Sequence, residues 1–255
     1  MKKRNLVVAN WKMNPKSPEE AKKIFNSTRN FAKKYKNVDV VVCPPFIYLD
    51  LLSRLNRPKN LILGAQNIST EEKGAFTGEI SAPMLKNVGA KYSIIGHSER
   101  RAMGEDGNLI RKKMEMAFLN GITPILCIGE NERDKDGSHL EVIKNQIKES
   151  LSGLQKRNLL GLLIAYEPVW AIGKSYREAM SPTDAHEAVL FIKKVSGEIF
   201  GRDVGDSLQV LYGAAIEAPN AKAMIDYGNV SGFLVGHASL EPEQFGKILE
   251  AVNFK

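Results

Sequence analysis

The sequence predicts an α/β protein built as a single (β/α)8 barrel spanning residues 1–255. Short β-branched apolar runs recur eight times between amphipathic helical segments. The runs are mostly apolar, as strands of a parallel sheet covered on both faces are. No Gly-x-Gly-x-x-Gly turn follows the first run, so an open doubly wound sheet fits less well than a closed barrel of about 250 residues.

The first run is Leu6-Val7-Val8-Ala9. Its helix opens at Ser17, with Pro18 at the first helical position and Glu20 completing a capping box. Ala21, Ile24, Phe25, Thr28, Phe31, Ala32 and Tyr35 then recur at three and four residues, giving one apolar face. Further strands are expected at Val38–Val42, Leu61–Leu63, Ser93–Ile95, Ile125–Ile128, Leu162–Tyr166, Leu208–Tyr212 and Gly232–Val235. A second legible helix starts at Ser181-Pro182-Thr183-Asp184, with Val189, Ile192, Val195 and Ile199 as its inner face. No Pro/Ser-rich linker or shift in composition divides the chain, and strict alternation predicts right-handed parallel crossovers.

Composition narrows the function classes. Lys+Arg number 36 against Asp+Glu 29, a net charge of +7, and 43% of residues are hydrophobic. That is too apolar for a disordered chain and too polar for a membrane bundle. The longest nearly unbroken apolar stretch, Leu159–Tyr166, falls far short of the roughly 18 residues that cross a bilayer. Met1-Lys2-Lys3-Arg4 resembles the start of a signal sequence, but the apolar run after it stops at Asn10-Trp11-Lys12. A cytoplasmic protein is expected. The positive charge is spread over helical faces and forms no nucleic-acid or lipid block, although it favours an anionic substrate diffusing in. Cys43 and Cys127 lie in apolar runs and read as buried thiols rather than a disulfide or metal pair.

In a barrel of this kind the informative positions are the C-terminal strand ends. Asn10 and Lys12 follow the first strand, His97 and Glu99 the fourth, Cys127 and Glu130 the fifth and Glu167 the sixth. The last two strands end in Gly213 and Gly236. Glu167 closes an apolar run and precedes an apolar segment able to cover it, so it reads either as a dehydrated base or as an ion-paired glutamate at a strand mouth. His97 sits in a strand-to-helix turn whose amides disfavour imidazolium; it reads as a neutral donor or as a hydrogen-bonded core residue. Lys12 is an anion partner or one surface lysine among many. Gly173, Gly213 and Gly236 are turns, or bare backbone that can nest a phosphate. His139, His186 and His237 lack metal-ligand spacing, and no metal is expected.

Four strings together are more specific than any of these residues alone: Asn10-Trp11-Lys12-Met13-Asn14, Gly74-Ala75-Phe76-Thr77-Gly78-Glu79, Ile95-Gly96-His97-Ser98-Glu99-Arg100-Arg101 and Ala165-Tyr166-Glu167-Pro168-Val169-Trp170-Ala171-Ile172-Gly173. In order and spacing the chain resembles the triosephosphate isomerase family over nearly its whole length. The resemblance implies a TIM barrel that interconverts dihydroxyacetone phosphate and glyceraldehyde 3-phosphate, in glycolysis and gluconeogenesis, without metal or organic cofactor. It implies that Glu167 moves the proton between carbons, that neutral His97 polarises the carbonyl, and that Lys12 and Asn10 balance enediolate charge. Glu99 would hold the polar network and Cys127 would pack near Glu167. Pro168, Val169, Trp170, Ala171, Ile172 and Gly173 would form the lid. The phosphate would be gripped by Asn10, Lys12, Gly173, Ala215, Gly236 and His237. Met13, Phe76, Thr77 and Arg100 would meet a second subunit in a homodimer.

Three stretches depart from the family pattern. Tyr212-Gly213-Ala214-Ala215 stands where Tyr-Gly-Gly-Ser is usual, which removes a hydroxyl and narrows the backbone freedom at Ala214. Gly236-His237 replaces a Gly-Gly pair; His237 either supplies charge to the phosphate or contributes only its amide. From Gly173 to Pro182 is nine positions rather than seven, with Lys174-Ser175-Tyr176-Arg177 in place of small residues. These changes leave open a non-catalytic phosphate-binding scaffold. Another phosphosugar barrel enzyme would need metal ligands or a Schiff-base lysine at the strand ends, and the sequence offers neither.

Overall fold

The structure, a computed structural model, describes residues 4–134 and 136–254, so the basic start Met1-Lys2-Lys3 lies outside it. In chain order the elements are β1 (Asn5–Asn10), α1 (Pro18–Lys34), β2 (Val38–Cys43), α2 (Phe46–Ser53), β3 (Leu61–Ala65), α3 (Ala82–Asn87), β4 (Tyr92–Ile95), α4 (Ser98–Ala102), α5 (Gly107–Leu119) and β5 (Thr123–Ile128). They continue with α6 (Ser138–Leu151), α7 (Lys156–Leu159), β6 (Leu163–Tyr166), α8 (Pro182–Phe200), α9 (Arg202–Ser207), β7 (Gln209–Tyr212), α10 (Ala218–Tyr227), β8 (Gly232–Val235) and α11 (Pro242–Ala251). The eight strands close into one barrel in sequence order. Every pairing is parallel, including β1 with β8 in the register Val8↔Leu234.

Alternation along the strands produces two apolar layers. Leu6 and Val8 of β1 point into the barrel with Val41, Ile94, Ile125, Cys127, Leu163, Leu211 and Leu234. Val7 and Ala9 point the other way, into the larger layer between barrel and helices. Burial on both faces is why these strands carry no polar alternation. The expected strands all form, but their ends differ. β1 extends to Asn10, β3 to Ala65, and β4 and β5 start earlier, at Tyr92 and Thr123. Ladder hydrogen bonds use only the backbone, so Asn10 pairs in register with Cys43 despite its polar side chain.

Helix α1 starts as read, with the Ser17 side chain accepting from the Glu20 amide. The reciprocal half of the expected capping box is absent, because the Glu20 carboxylate takes the amide of Lys16 instead of Ser17. Ala21, Phe25, Thr28 and Ala32 form its buried face. In α8, Ser181 caps through the Asp184 amide and Val189, Ile192 and Val195 face inward. Ile199 does not: it is 37% exposed. It lies in the last turn before Gly201, where Ser196 is buried and Gly197 closes on Gly205 of α9. No helix among the described residues is long and apolar enough to cross a membrane.

Candidate active site

A cavity of about 470 Å³ opens at the C-terminal ends of the strands. Its walls include Asn10, Lys12, His97, Glu167, Gly173, Ala215, Gly236 and His237, so residues far apart in sequence meet around one space. Ile172 and Leu234 supply apolar wall, and Lys174, Glu217 and Glu241 supply charge at the rim.

Lys12 is held in an unusual conformation. Its φ is 51°, a left-handed region that costs a non-glycine residue roughly 1–3 kcal/mol and persists only where neighbours enforce it. Three contacts do so. The Lys12 amide donates to Asn10 Oδ1 at 3.1 Å, Gln66 Nε2 donates to the Lys12 carbonyl at 2.8 Å, and Nζ meets Glu99 Oε1 at 2.6 Å. Gln66 also donates to the Cys43 carbonyl, tying the loop after β1 to β2.

His97 caps the short helix α4. The Glu99 amide donates to its Nδ1 at 3.2 Å, which requires a lone pair there and puts the ring proton on Nε2. Nε2 lies 3.2 Å from Glu167 Oε1. The other carboxylate oxygen of Glu167 accepts from the Ser98 amide at 3.1 Å. The acid is therefore parked against β4 and α4, next to the cavity. It is 2% exposed, and burial pushes its pKa above the ordinary carboxylate value; His97, the Ser98 amide, Lys12 and Cys127 partly offset this. The Cys127 thiol is itself held protonated by burial, followed by the neighbouring Glu167 charge.

The backbone around Glu167 is equally constrained. Its amide extends the ladder to Ile128, and Gly129 lies so close that a Cβ there would fall 1.8 Å from the Glu167 carbonyl oxygen. Gln146 grips Gly129 at both amide and carbonyl. Beyond it, Val169–Ala171 form a 3-10 turn. Trp170 Nε1 donates to buried Glu130 Oε1 at 2.8 Å, an oxygen that also accepts from the Tyr166 hydroxyl at 3.0 Å. Burial, then the adjacent Glu130 carboxylate, pushes the Tyr166 phenol far up.

The remaining expected residues are spread more widely. Met13 and Phe76 are exposed, by 94% and 48%, and Thr77 is exposed too. Arg100 pairs with buried Glu105, which also meets Lys113. His237 is exposed at the cavity wall, and buried Ala215 faces the same space. Sequence reasoning missed Gln66, Gln146 and Glu217. The side-chain carboxamides of Gln66 and Gln146 and the carboxylate of Glu217 bond to backbone groups, which leaves no spacing signature.

The family model described as Triosephosphate isomerase matches residues 5–252. The chain belongs to the triosephosphate isomerase family. Among its relatives is the triosephosphate isomerase of Aquifex aeolicus, 41% identical over 96% of this chain and 98% of its own length. That of Dictyoglomus thermophilum is 38% identical over 98% of this chain and its entire length. The Carboxydothermus hydrogenoformans triosephosphate isomerase is 40% identical over 96% of this chain and 97% of its own. Residues 174–177, 212–215 and 236–237, which depart from the family pattern, thus sit within a chain that matches triosephosphate isomerases over 96–98% of its length.

Proposed function

We propose that this chain catalyses the interconversion of dihydroxyacetone phosphate and D-glyceraldehyde 3-phosphate, with Glu167 as the base, and that residues 1–255 act as one domain in doing so. The observation that carries the reading is the convergence of a buried carboxylate and an Nε2–H imidazole, 3.2 Å apart, on a cavity that Lys12 and Asn10 also line.

The roles follow from the chemistry. A proton on carbon next to a carbonyl leaves only if the oxygen charge that develops is met. His97 Nε2–H, which faces Glu167 Oε1 at 3.2 Å, is freed to meet such an oxygen when that carboxylate moves to the substrate, and the Lys12 ammonium supplies positive charge. Glu167 leaves the Ser98 amide and takes the proton from C1 of dihydroxyacetone phosphate, His97 passes a proton so that O2 gains the hydrogen that O1 gives up, and Glu167 returns its proton to C2 of the enediolate. Its raised pKa makes it a stronger base than an exposed carboxylate. Glu99 holds both Lys12 and His97. Backbone amides of Gly173, Ala215, Gly236 and His237 are the phosphate grip, and they need no hydroxyl at position 215. An enediol phosphate exposed to water expels phosphate, so residues 168–173 close as a lid before the proton moves. Met13, Phe76, Thr77 and Arg100 form the contact of a homodimer, and the site of action is the cytoplasm.

Turnover tests this reading. The purified protein is expected to interconvert the two triose phosphates and bind phosphoglycolate. Glu167→Asp, which withdraws the carboxylate by about one bond length, is expected to lower kcat about 100-fold. A wild-type protein that fails to interconvert the two triose phosphates would overturn this reading.

A further inference from the structure

The segment following the expected lid is folded on itself. Ser175 and Glu178 cap the 3-10 turn Tyr176–Glu178 reciprocally, with Ser175 Oγ donating to Glu178 Oε2 at 3.0 Å. Lys174 lies over the Trp170 ring and Arg177 over the Tyr176 ring. Among the described residues, one hydrogen bond runs from positions 173–178 to another element: the Tyr176 amide donates to Glu217 Oε1 at 3.1 Å.

Glu217 is well placed to bear on both the hinge and the phosphate loop. It is the N-cap of α10, where the Asn220 amide donates to the Glu217 backbone carbonyl at 3.3 Å and the Asn220 side chain accepts from the Glu217 amide at 2.9 Å. The same carboxamide donates to the Ala215 carbonyl at 2.9 Å. The hinge, the helix start and the loop carrying Ala215 are thereby joined through one carboxylate and one carboxamide. The bond is present in the same conformation in which the Glu167 carboxylate accepts from the Ser98 amide.

We propose that Glu217 is a positioning residue that latches the far hinge in the open state, so that closing the lid requires the Tyr176–Glu217 bond to break. The Tyr176 amide lies in the far hinge, and hinge residues absorb the backbone change of closure. The latch therefore biases the equilibrium toward the open form and speeds product release at some loss of affinity. The proposal rests on the isomerase reading with residues 168–173 as the lid.

Two substitutions separate latching from helix capping. Glu217→Ser keeps a good N-cap but cannot reach Tyr176; Glu217→Gln keeps an oxygen at the right length. Phosphoglycolate titrated into the full-length protein, followed by Trp170 fluorescence, is the readout, alongside KM and kcat. Glu217→Ser is expected to bind phosphoglycolate about three- to tenfold more tightly and to lower KM similarly, without raising kcat. Glu217→Gln is expected to stay within about twofold of wild type. Unchanged or weaker binding by Glu217→Ser overturns the latch, as does a Glu217→Gln protein that matches Glu217→Ser. A wild-type protein that binds no phosphoglycolate overturns the isomerase reading, and the latch with it.

Discussion

Glu167 is an acid that folding keeps out of water, and it has a cost that pH reveals. In the unfolded chain it titrates near the ordinary value of 4.5, while in the folded protein burial raises that value. Below 4.5 both states hold the proton and stability is unaffected. As pH rises from there through the folded value, the unfolded state loses its proton first and stability falls. Glu167→Gln, which removes the charge but keeps the shape, should therefore unfold at higher temperature or urea concentration than wild type at pH 7. The difference should shrink to nothing near pH 4. A gap independent of pH would mean that the carboxylate is not destabilised by its surroundings. The acid limb of kcat/KM belongs above pH 4.5 for the same reason. The sequence placed this residue, along with Asn10, Lys12 and His97, at strand ends because each breaks an apolar run, and the four family strings rather than position singled them out. Gln66 was not legible: its work is to accept no proton and carry no charge, only to hold the Lys12 and Cys43 carbonyls.

At the level of elements, the end of β7 sets the direction of the carboxylate on β6. The Gly213 amide continues the ladder to the Tyr166 carbonyl, and a Cβ on Gly213 would stand 2.9 Å from Glu167 Cγ. Nothing in the Gly213 backbone forbids alanine, since its φ is not positive. Gly213→Ala should consequently fold but push the Glu167 side chain aside, with kcat down by about 100-fold and a melting temperature lowered only by the modest cost of a crowded contact. Activity within about twofold of wild type would show that the carboxylate has room to spare. Element positions were readable where periodicity and caps agree, as at Ser17 and Ser181. They were misread where backbone geometry alone decides. The Glu20 carboxylate turned to Lys16, Ile199 emerged near a helix end, and strands ran on through Asn10 and Thr123. The capped turn after the lid was invisible for another reason, since its meaning lies in a partner on α10, some 40 residues on.

For the whole molecule, five exposed apolar side chains lie on the loops and short helices that follow the first four strands, which are neighbours around the barrel. Met13 follows β1, Ile47 follows β2, Phe76 and Met84 follow β3, and Met103 follows β4, with exposures from 48% to 94%. In the proposed homodimer a second subunit would cover these side chains. Covering them would also bear on catalysis, because Met13 is the next residue after Lys12, whose left-handed backbone needs support. Light scattering of the purified protein should give twice the chain mass. Phe76→Glu would place a charge in the covered patch, where it has no partner, and should halve the mass at micromolar concentration. The resulting monomer should remain a cooperatively folding barrel, because both apolar layers lie within one chain, yet lose most of its kcat as the loop carrying Lys12 relaxes. A wild-type monomer of full activity would leave the apolar rim without its proposed role, and a dimeric Phe76→Glu protein would move the contact elsewhere.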